Sequence, residues 1–342
     1  MLVSTVAQAR FILNSCPELT PLPFVNVHLA KDEDANGMAT CLIAKEFAKV
    51  VKQISGFTKN YEILSLTIFH RYPTANYSDG GLIRIPERMI KRDIEAHTEV
   101  EKSLASTLNT FAHEYGHSIL ASRLKIDLRE YRKFKIESKK IYLLEVQNAK
   151  LLEKSGELMI KLKEAIDSNN NISEKKIRKE MLELGVSFQE REKKIATTKN
   201  EFEKSKNTKR VVEISTSYHE LFGDVIAAFY SNDPEAMYKA HTYPGISHEN
   251  EVLALMRDFT SQHEVEGWDI VEPHGLLAPT RYFLWKNFWP TNSSAEKKRD
   301  FINNLYLAML NEMSYRFRNK SSFTPKEINL RLMESIVKQF KK

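Results

Sequence analysis

His113 and His117 stand four residues apart, and four residues of an α-helix turn through about 400°. Both imidazoles therefore project from nearly one face and can share one metal ion. Glu114, beside the first histidine, can take a proton from a water bound to that metal. The spacing H-E-x-x-H encodes metal-assisted hydrolysis, the metal lowering the pKa of the water and the carboxylate acting as general base. Its surroundings suit a buried helix. Phe111, Ala112, Ile119 and Leu120 are apolar, Glu114 is the one charge from Thr110 to Leu120, and Gly116 leaves room for close packing.

A hydrolytic zinc takes three protein ligands and keeps one position for water. The extended histidine-rich pattern needs Gly at position 120 and His at 123; the chain has Leu120 and Arg123, which excludes it. The best third ligand lies in Ser217-Tyr218-His219-Glu220-Leu221-Phe222-Gly223-Asp224. Glu220 and Asp224 are one helical turn apart, so Glu220 can bind metal while Asp224 accepts the other N–H of a ligand histidine. Asp224 as sole third ligand, or His219, are the alternatives.

The elements that must hold these groups are legible from hydrophobic period. Phe24 to Leu29 alternates as a strand, and Ala39 to Ile54 has helical period. Ile63 to Phe69 is a second strand. Asn76 to Pro86 reads as a third extended segment, with a turn or bulge at Asp79-Gly80-Gly81. A charged stretch follows, and the helix carrying His113 should start near Glu101. Val211 to Tyr230 is a packed helix, and Asp233-Pro234 opens another. A loop at Tyr243-Pro244-Gly245 precedes helical patterns from Glu249 to His263. Three more helices fill Leu276 to Lys342, separated near Trp289-Pro290 and Thr324-Pro325.

Residues 131–210 differ in character. They lack proline and hold 21 Lys and Arg against 13 Asp and Glu, whereas the remainder holds 30 against 32. Leu144, Leu151 and Leu158 recur every seven residues beside Ile141 and Leu162. After the polar turn at Asp167 to Asn171, Met181, Phe188, Ile195 and Phe202 do the same beside Ile177 and Leu184. Two such stripes predict an antiparallel coiled-coil hairpin with arms of roughly 50 Å, weakened at Asn148 and Ser155.

With His113-Glu114-x-x-His117 and Glu220-x-x-x-Asp224 in hand, the chain resembles the gluzincins, the thermolysin-like zinc metallopeptidases. Glu220 follows His117 by 103 residues, and removing the 80-residue hairpin leaves 23, a reasonable connection between two neighbouring helices. The resemblance covers about residues 24–130 and 211–285. It implies an α+β zincin core: a small N-terminal sheet with the active-site helix (residues 1–130), the hairpin inserted (131–210), and a mostly helical C-terminal lobe (211–342). It implies one Zn²⁺ per chain on His113, His117 and Glu220, with Glu114 as base. It also implies a substrate-binding edge strand, placed at Asn76 and Tyr77. An oxyanion donor is expected from the second lobe, with His274 and Arg281 as candidates and Tyr243, Tyr282 or His263 as substitutes.

The composition narrows partners. The expected substrate is a peptide or protein, and the basic hairpin could dock an acidic protein or an anionic surface, or join two protomers. A rival reading makes the chain an interaction protein on a zincin scaffold, with regulated or vestigial catalysis; intact Glu114 argues against a dead site. Nucleic-acid binding is disfavoured, because few aromatics interleave the basic residues and Glu alternates with them. No apolar run approaches a membrane span. Met1 to Cys16 makes a poor signal peptide, lacking a basic start and interrupted by Arg10, and Asn14 spoils a lipid-attachment box at Leu13 to Cys16. With two cysteines only, Cys16 and Cys41, no disulfide framework is expected and a reducing, cytoplasmic setting is the default, export not being excluded.

Overall fold

The computed structural model describes residues 12–14, 16, 24–31, 41–59, 64–69, 75–78, 81–96, 104–242, 251–262, 271–290, 294–319 and 322–342. Among them the chain is mostly helical with one small mixed sheet, an α+β arrangement dominated by helix. It divides into two compact units, one of residues 1–128 with 213–342, the other of residues 129–212.

The sheet runs β1-β2-β3-β5-β4, from β1 (Ile12–Asn14), β2 (Phe24–Lys31), β3 (Leu64–Phe69), β4 (Asn76–Ser78) and β5 (Leu82–Pro86). β2, β3 and β5 are parallel; β1 and β4 pair antiparallel at the two edges. The return from β2 to a parallel β3 needs a crossover, which α1 (Cys41–Thr58) supplies. Alternation buries Leu66 and Ile68 of β3 with Ile83 and Ile85 of β5. The extended segment expected over Asn76 to Pro86 is a hairpin, so only Asn76–Ser78 forms the edge while Leu82–Pro86 lies inside the sheet. Gly81, at φ 77°, takes the left-handed turn conformation that suits glycine.

The charged stretch after Pro86 is a helix, α2 (Glu87–Ala96). Asp93 on its buried side accepts the Thr107 N–H at 2.7 Å, two residues into α3 (Ala105–Asp127). From Phe111 to Ala121 every residue of α3 is buried, as befits a helix with neighbours on all sides. Phe111 packs against Phe47 of α1 with ring centroids 4.6 Å apart.

The second compact unit holds α4 (Arg129–Asp167) and α5 (Asn171–Lys204), two long helices joined by a short polar turn. Asn169 turns at φ 52°, and the Asn170 side chain caps α5 by accepting from Ser173 N–H. The expected seam residues, from Ile141 to Leu162 and from Ile177 to Phe202, are buried or half-buried among exposed neighbours. Lys199 and Glu145 pair across the hairpin at 2.7 Å, and Phe134 meets Phe202 at 5.3 Å. Asn148 buries its Oδ1 on the seam without a hydrogen bond among the described residues.

α6 (Lys206–Ser231) carries Glu220 and Asp224. Its residues from Ile214 to Phe229 are largely buried, and α7 (Ala236–His241), α8 (Glu251–Leu255), α9 (Pro273–Leu276), α10 (Ala278–Phe288), α11 (Ala295–Arg318) and α12 (Pro325–Phe340) follow in the same unit. Phe229 packs against Trp289, its ring tilted, at 4.8 Å between centroids and edge-to-face against Phe301 at 5.1 Å. α12 starts on a capping box, Thr324 with Glu327, and Pro325 occupies the first turn, where a missing N–H costs nothing.

One sequence expectation is corrected here. Cys16 and Cys41 are joined in a disulfide, their Cα atoms 5.6 Å apart, which ties the chain beyond β1 to the start of α1. Disulfides persist in oxidising surroundings, so the reducing setting inferred from the cysteine count loses its support. Among the described residues, no helix is long and apolar enough to cross a membrane.

Candidate metal centre

Two helices meet through glycines to make the site. A Cβ added to Gly116 of α3 would sit 2.8 Å from the Cα of Gly223 on α6. One on Gly223 would sit 2.6 Å from Nδ1 of His113. With hydrogen at both positions the helix backbones close up, and His113, His117 and Glu220 come together. Each offers one ligand atom within 4.8 Å of the others, and all three residues are buried, so the group could hold a metal ion.

The orientations follow from hydrogen bonding. His113 Nδ1 lies 2.9 Å from Asp224 Oδ1, which turns its Nε2 towards Glu220 Oε2 at 3.3 Å. His117 Nε2 is 3.7 Å from Glu220 Oε1. Glu220 Oε2 is buried, ringed by His113 Nε2 at 3.3 Å, His274 Nε2 at 3.4 Å and Arg257 Nη2 at 3.5 Å, with no close, well-aligned hydrogen bond among the described residues. Two imidazole nitrogens and a carboxylate converging in a buried place, the carboxylate's Oε2 only loosely met by its neighbours, fit a cation with nitrogen and oxygen ligands.

Charge is balanced by residues with no local sequence signal. Arg257, shortly after α8, places Nη2 2.5 Å from Asp224 Oδ1 and 3.5 Å from Glu220 Oε2. The same Nη2 approaches both ring nitrogens of His113, at 3.0 and 3.1 Å, while Nη1 is 3.1 Å from His241 Nε2. Burial and the Arg257 charge pull His241 down to about 3, so its ring is neutral and accepts from the guanidinium.

Burial would raise the carboxyl of Glu220, but His117, the His113 hydrogen bond and Arg257 outweigh it and hold the group well below the usual carboxylate range. Asp224 is held down likewise, burial being overcome by Arg257, Arg281 and His113. For His113, burial and Arg257 pull down, yet the carboxylates of Asp224 and Glu220 prevail and lift it to about 9. Burial, then the His113 charge, push His117 well down. Glu114 goes the other way. Burial, with help from Glu220, raises it to about 7 against His113, a Tyr77 backbone hydrogen bond and Arg257.

That hydrogen bond brings Tyr77 of edge strand β4 to Glu114. His274, in α9, points Nε2 at Glu220 Oε2 from 3.4 Å and is part-exposed. Its Nδ1 is held by Glu272, whose other oxygen accepts the Gly275 N–H at 2.9 Å. Of the alternative third ligands, His219 lies beside His117 with ring centroids 5.6 Å apart, and Asp224 faces Nδ1 of His113. Arg281, expected as an oxyanion donor, is not brought to the cleft. It is fully buried, with Nε 2.9 Å and Nη2 2.6 Å from Asp224 Oδ2, because that buried carboxylate needs a counter-charge. Tyr282 directly follows Arg281 on α10, half-buried. Tyr243 and His263 lie outside the described residues.

Arg257, His241 and Glu272 are the residues that sequence reasoning missed. Glu272 had a local signal, standing two residues before His274 at a proline; the other two meet the site only through tertiary packing.

Comparison with known protein families, curated proteins and solved structures finds no match to this chain.

Proposed function

We propose that the chain is a zinc-dependent peptidase of gluzincin type. The observation that carries the reading is the convergence of His113, His117 and Glu220 in one buried group, with the carboxyl of Glu114 beside the first ligand on the same helix. A carboxylate so placed can serve as general base toward a water held by that group. His113 and His117 would hold the metal through Nε2 and Glu220 through its carboxylate. Zinc, when bound, supplies a lowered pKa for water and polarisation of the scissile carbonyl.

The remaining steps belong to the protein. Glu114 takes the proton of the attacking water and delivers it to the leaving amine nitrogen. The edge strand Asn76–Ser78 is placed to pair with an extended peptide, Tyr77 standing against Glu114. His274, steadied by Glu272, donates from Nε2 to the carbonyl oxygen as it gains negative charge. The test is hydrolysis of a quenched fluorescent peptide library by zinc-loaded protein beside Glu114→Gln. Cleavage lost in the variant, with zinc retained, supports the reading; cleavage at the wild-type rate in the variant contradicts it.

A second reading has its own observation. On α5 the face from Ile172 through Lys175, Lys179, Leu182 and Val186 to Lys193 is exposed and part apolar, within a segment, 131–210, that holds 21 Lys and Arg against 13 Asp and Glu. Such a face suits an acidic partner, with catalysis subordinate to docking. Replacing residues 135–206 by a short linker separates the readings. Peptidase activity retained by the shortened chain assigns catalysis to the first unit, and loss of an acidic partner with it assigns docking to the hairpin.

A further inference from the structure

Asp224 is fully buried and carries its charge between two arginines. Arg257 meets Oδ1, the oxygen that also faces His113 Nδ1, at 2.5 Å, and reaches Oδ2 only through Nε at 3.4 Å, whereas Arg281 meets Oδ2 closely, at 2.9 and 2.6 Å. The two arginines are not equivalent. Arg257 is shared, its guanidinium also lying against His113, His241 and Glu220. Arg281 is dedicated to Asp224 and comes from a fixed support. It sits inside α10, its N–H bonded to Leu277 O at 3.0 Å, and its neighbour Thr280 is bonded at 2.7 Å to the buried Asn329 of α12.

We infer that Arg281 is a positioning residue which, by clasping Oδ2 of Asp224, holds Oδ1 on the Nδ1–H of His113 and so aims the His113 Nε2 at the metal-binding group. The inference rests on the reading of His113 as a metal ligand. Its physical basis is directional. A carboxylate held on one oxygen only can swing about its Cβ–Cγ bond, and Arg257, with a free choice of both oxygens, would compete with His113 for it. Arg281, rigid on α10, holds Oδ2 by its Nε–H bond at 2.9 Å with Nη2 at 2.6 Å, so that with Oδ2 pinned the carboxylate can turn little and Oδ1 stays where the imidazole needs an acceptor. Support of this kind behind a ligand histidine is worth 10–100-fold in metal affinity.

The test compares the full-length wild type with Arg281→Lys and Arg281→Met. Three quantities are read: zinc dissociation constant by chelator competition, the downfield Nδ1–H proton resonance of His113, and thermal midpoint. The Nδ1–H signal needs no metal, so it reports on positioning even if the wild type binds no zinc, a result that would sink the zinc reading alone. The expected result is a zinc affinity lowered at least 10-fold in Arg281→Met, with the Nδ1–H resonance broadened or lost. Arg281→Lys, which keeps charge but not the fork, should fall between Met and wild type. If Arg281→Met does not fold, Arg281→Lys decides: affinity and resonance within two-fold of wild type, with only the thermal midpoint lowered, overturn the inference.

Discussion

Gly116 and Gly223 touch. The Cα of Gly223 lies 2.8 Å from where a Gly116 side chain would begin, and His113 rests on Gly223 itself. The contact sets the separation of α3 and α6, and with it the distance between the histidines and Glu220. Gly223→Ala should therefore displace the His113 ring, lowering stability by about 1–3 kcal/mol and weakening zinc binding together. Gly116→Ala meets the Gly223 backbone first, at 2.8 Å, and then the Ile226 side chain, and should cost at least as much. Urea denaturation with zinc titration checks both; wild-type stability in either variant would show that the helices can separate freely.

Glu114→Gln keeps the shape of the side chain and removes the base. Zinc content should stay at the wild-type value while peptide hydrolysis falls by at least about 10²-fold. Equal loss of zinc and activity would instead make Glu114 part of the metal-holding set.

A second buried carboxyl gives a pH prediction away from the site. Burial raises Glu312 to about 7 against the opposing charges of Arg316 and Arg331. Its folded pKa lies above the unfolded value, so its stabilising contribution is complete in acid and is lost as pH rises through about 7. Glu312→Gln should thus be more stable than wild type at pH 8, by roughly 2–3 kcal/mol, with the difference closing below about pH 5. Denaturant unfolding at the two pH values reads it, and a constant difference would refute it.

The Cys16–Cys41 bridge closes a sequence separation of 25 residues. Loops of that length are worth about 3 kcal/mol. Reductant, or Cys41→Ser, should lower the thermal midpoint of the first unit, read by calorimetry; an unchanged midpoint would mean that the bridge constrains little.

What could be read from the chain alone was what depends on local period. His113, Glu114 and His117 stand out because helix geometry alone brings four-residue neighbours together, and Glu220 with Asp224 show for the same reason. The seam of the hairpin announces itself by a seven-residue repeat. Arg257 and His241 were illegible because nothing in their own neighbourhood marks them, their meaning arising where α7 packs against α3 and α8 and brings both residues to Asp224 and His113. Arg281 was noticed but misassigned. A cation seven residues from Glu220's neighbour His274 looks like a cleft residue until packing turns it onto Asp224. The disulfide was missed for a related reason, since two cysteines 25 apart carry no spacing signature. The α2 helix was hidden by its charge, being amphipathic enough to bury Ile90 and Asp93 and still read as a solvated stretch.

The most direct measurement is elemental analysis of the purified protein for bound metal, wild type beside Glu220→Ala. The account predicts one zinc per chain in the wild type and its loss, or an affinity sharply weakened, in the variant. Zinc held equally by both would contradict Glu220 as a ligand, and a wild type that takes up no zinc on reconstitution would contradict the metal centre itself.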